Sequence, residues 1–156
     1  MGHAVGDQLA DGTAGTYVLV LRADRCAALP VGRLGTLQVR RGYYLYVGSA
    51  LGPGGLRARL GHHLRHAARP RWHIDYLRGM LAVREIWYTC DPRRWESAWA
   101  QVLAGLPGMS VPLAGFGASD CPGENHLFHS PRRPALARLS ACAGAADRGF
   151  VVHRLI

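Results

Sequence analysis

The 156-residue chain contains no lysine, so all 19 of its permanently basic side chains are arginine. Arginine abundance alone says little about phosphate, because a GC-rich coding bias inflates Arg, Ala, Gly and Pro together, as is seen here. Acids are also few, 10 in all, and their distribution is more informative than their number. None occurs from Arg25 to Ile74, a window that holds nine arginines, while the other ten arginines are matched by the ten acids elsewhere. The whole formal charge of +9 therefore sits in one window. That is the electrostatic footprint expected of a surface for nucleic acid, with a bland solvated basic face as the alternative.

No stretch approaches the roughly 18 uninterrupted apolar residues of a membrane span. The opening MGHAVGDQLADGTAG has neither a basic start nor an apolar signal core, so secretion is not expected. Cys26, Cys90, Cys121 and Cys142 stand far apart in no paired spacing, which argues against a disulfide framework or a four-cysteine zinc site and favours reduced thiols in a cytoplasm. No internal repeat or linker divides the chain. With 49% apolar residues it is long enough to bury one core, and the expected organisation is a loose tail over residues 1–14 followed by one domain over 15–156.

TYVLVLRA (16–23) is a β-branched and aromatic run that predicts a buried strand. TLQVRRGYYLYVG alternates on each side of Arg41-Gly42, which predicts a hairpin with its second arm at Tyr43 to Val47, and so three strands in the first fifty residues. SALGPGG is a turn, and Leu56, Leu60 and Leu64 then recur every four residues along LRARLGHHLRHAA, one face of a helix. WHIDYLRGML predicts a second helix, AVREIWYT a strand, and RRWESAWAQVLAGL a third helix with an apolar stripe of Trp95, Ala98, Trp99, Val102 and Leu103. GFGASDCPGEN is loop chemistry, HLFHS a short strand, RPALARLSACA a helix and GFVVHRLI a closing strand. The fold class is α/β: a central, mostly antiparallel sheet flanked by helices, with extra C-terminal elements.

Four ordered features stand out: Gly15-Thr16-Tyr17 opening the first strand, Tyr46-Val47-Gly48 closing the hairpin, L-R-A-R-L on the helix after it, and Trp95-Glu96 on the third helix. Their order resembles the GIY-YIG nucleases. Trp72-His73-Ile74-Asp75, the Gly115 to Cys121 run and His126-Leu127-Phe128 resemble the Uri-type subgroup of that family, over roughly residues 15–153.

The resemblance implies a divalent-metal-dependent endonuclease that hydrolyses DNA phosphodiester bonds in repair or processing, or else a DNA-binding module that keeps the scaffold without turnover. Phosphodiester cleavage needs an activated water, a cation on the phosphate and usually a metal. By resemblance, Tyr46 lies at the attacking water as base or positioner, and Tyr17 shapes the same pocket. Arg59 contacts the scissile phosphate, which a guanidinium can hold by two oxygens. His63, four residues on, assists proton transfer or binds phosphate. Glu96 is the single protein ligand to Mg²⁺ or Mn²⁺. Gly48, Arg57, Arg65 and His126 are the remaining candidate contacts to DNA. Asn125 is a candidate for the asparagine that many family members carry after the metal glutamate, and Ser119, Asp120 and His126 for a subgroup-specific pocket. Cys121, His126 and His129 lack a fourth ligand for zinc. Capping or core hydrogen bonding is the expected duty of His73 and Asp75. Glycines in the GPGG insertion would let backbone N–H groups approach a phosphate at the helix N-terminus.

Overall fold

The computed structural model describes residues 9–65, 69–135, 137, 139 and 151–154. A five-stranded antiparallel sheet is built from β1 (Gly15–Ala23), β4 (Gly42–Ala50), β5 (Ala82–Thr89), β6 (Leu127–Ser130) and β7 (Val151–Arg154) in the order β6-β4-β1-β5-β7. A separate two-stranded ribbon pairs β2 (Ala27–Val31) with β3 (Gly35–Val39). The helices are α1 (Gly55–Leu64), α2 (His73–Arg78) and α3 (Glu96–Ala104).

Strand β1 is apolar nearly throughout because both of its faces are covered. Tyr17, Leu19 and Leu21 face a core shared with Leu56 and Leu60 of α1 and Ile74 and Leu77 of α2. Val18 and Val20 face the opposite way, into a core with Trp99, Ala100 and Leu103 of α3 and with Trp87 and Phe128. Alternation with period two thus sorts one strand between two apolar layers. Each fully buried leucine contributes about 1.5–3 kcal/mol relative to exposure.

The sheet and its flanking helices agree with the expected class, and the differences are local. TLQV does not pair with Tyr43 to Val47. Leu37 and Val39 enter the first core through β3, whose partner is β2, so the first fifty residues hold four strands. The connection between β1 and β3 supplied the extra strand: Leu34 N bonds to Val31 O across a tight turn, and the chain then enters the main sheet at Gly42 as the antiparallel neighbour of β1. Residues 9–14, expected as the end of a loose tail, are seated on the domain. Leu9 is buried in the first core, and Thr13 O accepts from Leu56 N at 2.8 Å.

That last bond also redirects the GPGG insertion. The first free N–H of α1 is used by the chain's own carbonyl, not left for a ligand. On α3 the buried face is Trp99, Ala100 and Leu103, whereas Ala98 is exposed and Trp95 precedes the helix. His73 and Asp75 carry internal hydrogen bonds, as expected: Asp75 Oδ2 accepts from Arg71 N at 2.8 Å and Trp72 N at 3.1 Å, satisfying donors at the start of α2. Of RPALARLSACA residues 133–135, 137 and 139 are described, only the last two of them helical, and the closing strand is described over Val151–Arg154. The first eight residues of the expected tail lie outside the described residues. No helix among those described is long and apolar enough to cross a membrane.

Leu60 sits at the α1–sheet contact with no exposure. Leu60→Ala is expected to lower the unfolding free energy by about 2–5 kcal/mol in urea denaturation with an unchanged slope. A loss below about 1 kcal/mol would mean that α1 is not held by this face.

Candidate active site

The register of β1 against β4 places Tyr17 opposite Gly48. Tyr46, two residues before Gly48, shares its face of the sheet. A Cβ at position 48 would overlap the ring and hydroxyl of Tyr17. Glycine is therefore what lets one tyrosine lie across the neighbouring strand beside the other. The loop after residue 114 closes over the pair: Gly117 has φ +73°, and a Cβ there would come within 2.7 Å of Tyr46 Cε2. That loop is tied on two sides. Gly117 N donates to His73 Nδ1 at 3.0 Å, and His126 N donates to Phe116 O at 3.0 Å.

Between these elements lies an open cavity of about 450 Å³ lined by Tyr17, Tyr46, Gly48, Arg59, Glu96 and His126, with Ser49 and Asp120 also on its wall. Arg59 projects from α1 with its guanidinium carbon 4.5 Å from the centroid of the Trp72 ring. Stacking of this kind orients the group while leaving its N–H donors free to point along the ring plane. Arg71 and Arg94 reach the same wall.

Glu96 is the first residue of α3, a position where a carboxylate also meets the positive end of the helix. It does not stand alone. Ser49 Oγ donates to its Oε2 at 3.0 Å, and His126 Nδ1 lies 3.1 Å from its Oε1. The other nitrogen of His126 is 2.9 Å from Glu124 Oε2, and its Nδ1 also faces Gly117 O at 3.0 Å. Both ring nitrogens thus face acceptors, an arrangement that favours the doubly protonated ring. Its burial opposes charge, but the hydrogen bonds to Glu96 and Glu124 prevail and raise its pKa. The same contact from His126, with a second bond from Ser97, holds the Glu124 carboxyl below its ordinary range.

The two phenols and His63 are shifted in the opposite sense. Burial, then the charge of Glu96, pushes Tyr46 well above the usual phenol range despite the opposing effect of Arg59. Tyr17 is raised too, by burial and then by Tyr46, and its hydroxyl lies 2.6 Å from His63 Nε2. Burial, then its neighbour His62, carries His63 down to about 3. All three are neutral near pH 7.

Of the residues picked from the sequence, Tyr17, Tyr46, Gly48, Arg59, Glu96 and His126 meet at one cavity, and Asp120 and Ser119 border it. His63 does not reach the cavity: it is 1% exposed and stands behind Tyr17, a neutral ring rather than a cation for phosphate. Arg57 and Arg65 lie on the exposed part of α1, Arg57 paired with Asp11 and Arg65 bonded to Gly61 O. Asn125 braces the overlying loop through Gly115 N at 2.8 Å and is absent from the cavity wall. His129 turns to Arg41 O at 2.9 Å, away from Cys121. Ser49, Arg71, Arg94 and Glu124 were not singled out from the sequence. Glu124 had a signal, its spacing of two from His126; the others are ordinary residues whose place only the packing reveals.

These features define a small α/β domain with a polar cavity over two inner strands of an antiparallel sheet. The model of the family described as domain of unknown function DUF123 matches residues 16–146, and the chain belongs to that family. No match is found among curated proteins or among solved structures.

The Gly48–Tyr17 contact is directly testable. Gly48→Ala is expected to destabilise the fold by about 1–3 kcal/mol through overpacking. Most of that cost should vanish when the same substitution is made in a Tyr17→Ala background, and a fully additive double mutant would show that the ring does not occupy this space.

Proposed function

We propose that this domain is a divalent-metal-dependent DNA endonuclease of the GIY-YIG type, Uri-like in subgroup, working in a cytoplasm on DNA under repair or processing. The observation that carries the reading is the convergence of Tyr17, Tyr46, Arg59 and Glu96, from four different elements, on one cavity. The subgroup-like segments support it as well, since Trp72-His73, Gly117 to Cys121 and His126 border the same cavity.

The residues fit a hard divalent ion. Glu96 presents a carboxylate with 15% side-chain exposure to the cavity, its two oxygens each steadied by one neighbour, and oxygen donors of this kind suit Mg²⁺ or Mn²⁺. Such an ion, when bound, polarises a phosphoryl oxygen and increases the acidity of a coordinated water. The chain's own groups do the rest. Arg59 holds the phosphate, its orientation fixed by Trp72. Tyr46, its phenol raised by burial and by Glu96, positions the attacking water, and takes its proton where Arg59 and a bound cation lower the phenol again. Tyr17 braces the opposite wall. His126 orients Glu96, and Arg57 and Arg65 extend the cationic surface along α1 toward flanking DNA.

One observation favours the non-catalytic alternative: His126 already engages Glu96 at 3.1 Å, as it would in a scaffold that binds DNA without cutting it. Glu96→Gln separates the two readings. Cleavage of labelled single-stranded, duplex or branched DNA in Mg²⁺ or Mn²⁺ is expected to fall by at least about a hundredfold in this variant. Its salt-sensitive retardation of DNA should be kept. A wild-type protein that retards DNA but yields no metal-dependent product would establish the binding module instead.

A further inference from the structure

Behind the cavity, α1 and α2 bring a second set of polar groups together. One donor atom each from His62, His63 and Asp75 lies within 4.8 Å of the other two. His62 Nε2 and Asp75 Oδ1 are already 3.0 Å apart. His63 is the decisive member. Its Nε2 is engaged by the Tyr17 hydroxyl, while its Nδ1 is buried with no hydrogen-bond partner among the described residues. Leaving a buried polar atom unsatisfied costs about 1–3 kcal/mol, and a ligand that fills the position relieves that cost.

We propose that His62, His63 and Asp75 form a transition-metal site, with zinc the ion best matched to two imidazoles and one carboxylate, and with the remaining coordination position reached from solvent beside the partly exposed His62. The two imidazole centroids are 5.7 Å apart. With Zn–N bonds of about 2.0–2.1 Å each ring centre lies about 3.2 Å from the ion, so two rings sharing it at roughly tetrahedral angles are about 5.2–5.6 Å apart. The donor atoms of such a site are about 3.3–3.5 Å from one another, so closure asks each side chain to move inward by less than about 1 Å.

Asp75 is pre-oriented for this duty. The backbone N–H groups of Arg71 and Trp72 hold its Oδ2, leaving Oδ1 directed at His62. The neighbouring guanidiniums have other partners: Arg78 donates to His63 O and Leu81 O, and Arg59 stacks on Trp72. Their charge weakens the hold on a cation, and the Asp75 carboxylate offsets part of it. The nitrogen-rich donor set discriminates against Mg²⁺, which separates this position from Glu96. Binding at Nδ1 fixes the His63 proton on Nε2, so that the ring donates to the Tyr17 oxygen and leaves the Tyr17 proton to point elsewhere. An ion here thus joins α1 to α2 and sets the hydrogen-bond sense of a cavity residue.

The test uses the full chain, stripped with chelator and titrated with Co²⁺ as a spectroscopic probe without nucleic acid. One equivalent is expected to give the visible absorption of a four-coordinate ion, and Zn²⁺ should compete for it and raise Tm. Because Asp75 also satisfies the start of α2, His62→Gln is the deciding variant, with folding checked by circular dichroism. Its affinity should fall by more than the roughly 10–100-fold that loss of an outer partner produces. Glu96→Gln and Cys121→Ser should bind as the wild type does. Absence of uptake by the wild type, undiminished uptake by folded His62→Gln, or loss confined to Glu96→Gln or Cys121→Ser would each overturn the assignment. Failure here leaves the nuclease reading intact, because no cleavage is measured.

Discussion

The antiparallel register between β1 and β4 is the constraint on which the cavity depends. It sets Tyr17 against Gly48 and carries Tyr46 to the same face. A slip of β1 by one residue would send Tyr17 to the α3 side of the sheet, away from Tyr46, and place Val18 and Val20 against α1 instead. The register is held by the apolar sorting of β1 itself, since Leu19 and Leu21 belong to one core and Val18 and Val20 to the other. Packing energy thus fixes the position of polar groups that contribute little to it.

Once the tyrosines are placed, the remaining polar groups arrive from outside the sheet. Helix α1 brings Arg59, the start of α3 brings Glu96, and the loop over Tyr46 brings the segment ending in His126. Each is restrained by a neighbour of matching chemistry: Trp72 beneath Arg59, Ser49 and His126 on Glu96, and Glu124 beyond His126. The effect is a preorganised cavity, in which hydrogen bonds to the charged side chains are made before any ligand binds.

Local patterns revealed much of this before the coordinates did. The leucines of α1, the β-branched run of β1 and the glycine after Tyr46-Val47 are short-range signals, and each corresponds to a real element or contact. Pairing was less legible. TLQV alternates equally well whether its partner lies after Gly42 or before Gly35, because period two gives a face but not a neighbour. The neighbour is decided by burial of Leu37 and Val39 in the first core, which is a tertiary fact. The same limit applies to His63. Its spacing from Arg59 correctly gave the same side of α1, yet helix periodicity does not say that Tyr17 stands between it and the cavity.

The charge pattern is resolved by the same geometry. The acid-free window spans β2 to α1 and ends at Ile74, immediately before the buried Asp75. Only two of its nine arginines, Arg59 and Arg71, line the cavity, and both have their guanidiniums near Trp72. Arg57 and Arg65 are exposed elsewhere on α1. The window therefore serves two scales at once. Arg59 and Arg71 act at contact distance, where orientation by an aromatic ring matters more than net charge. The exposed arginines contribute a longer-range positive field, which salt will screen. Glu96, outside the window, places a carboxylate on the wall of the same cavity, in contact with His126. Under the proposed function, a phosphate and a cation would be attracted to adjacent positions on one wall, which a uniformly basic surface would not allow.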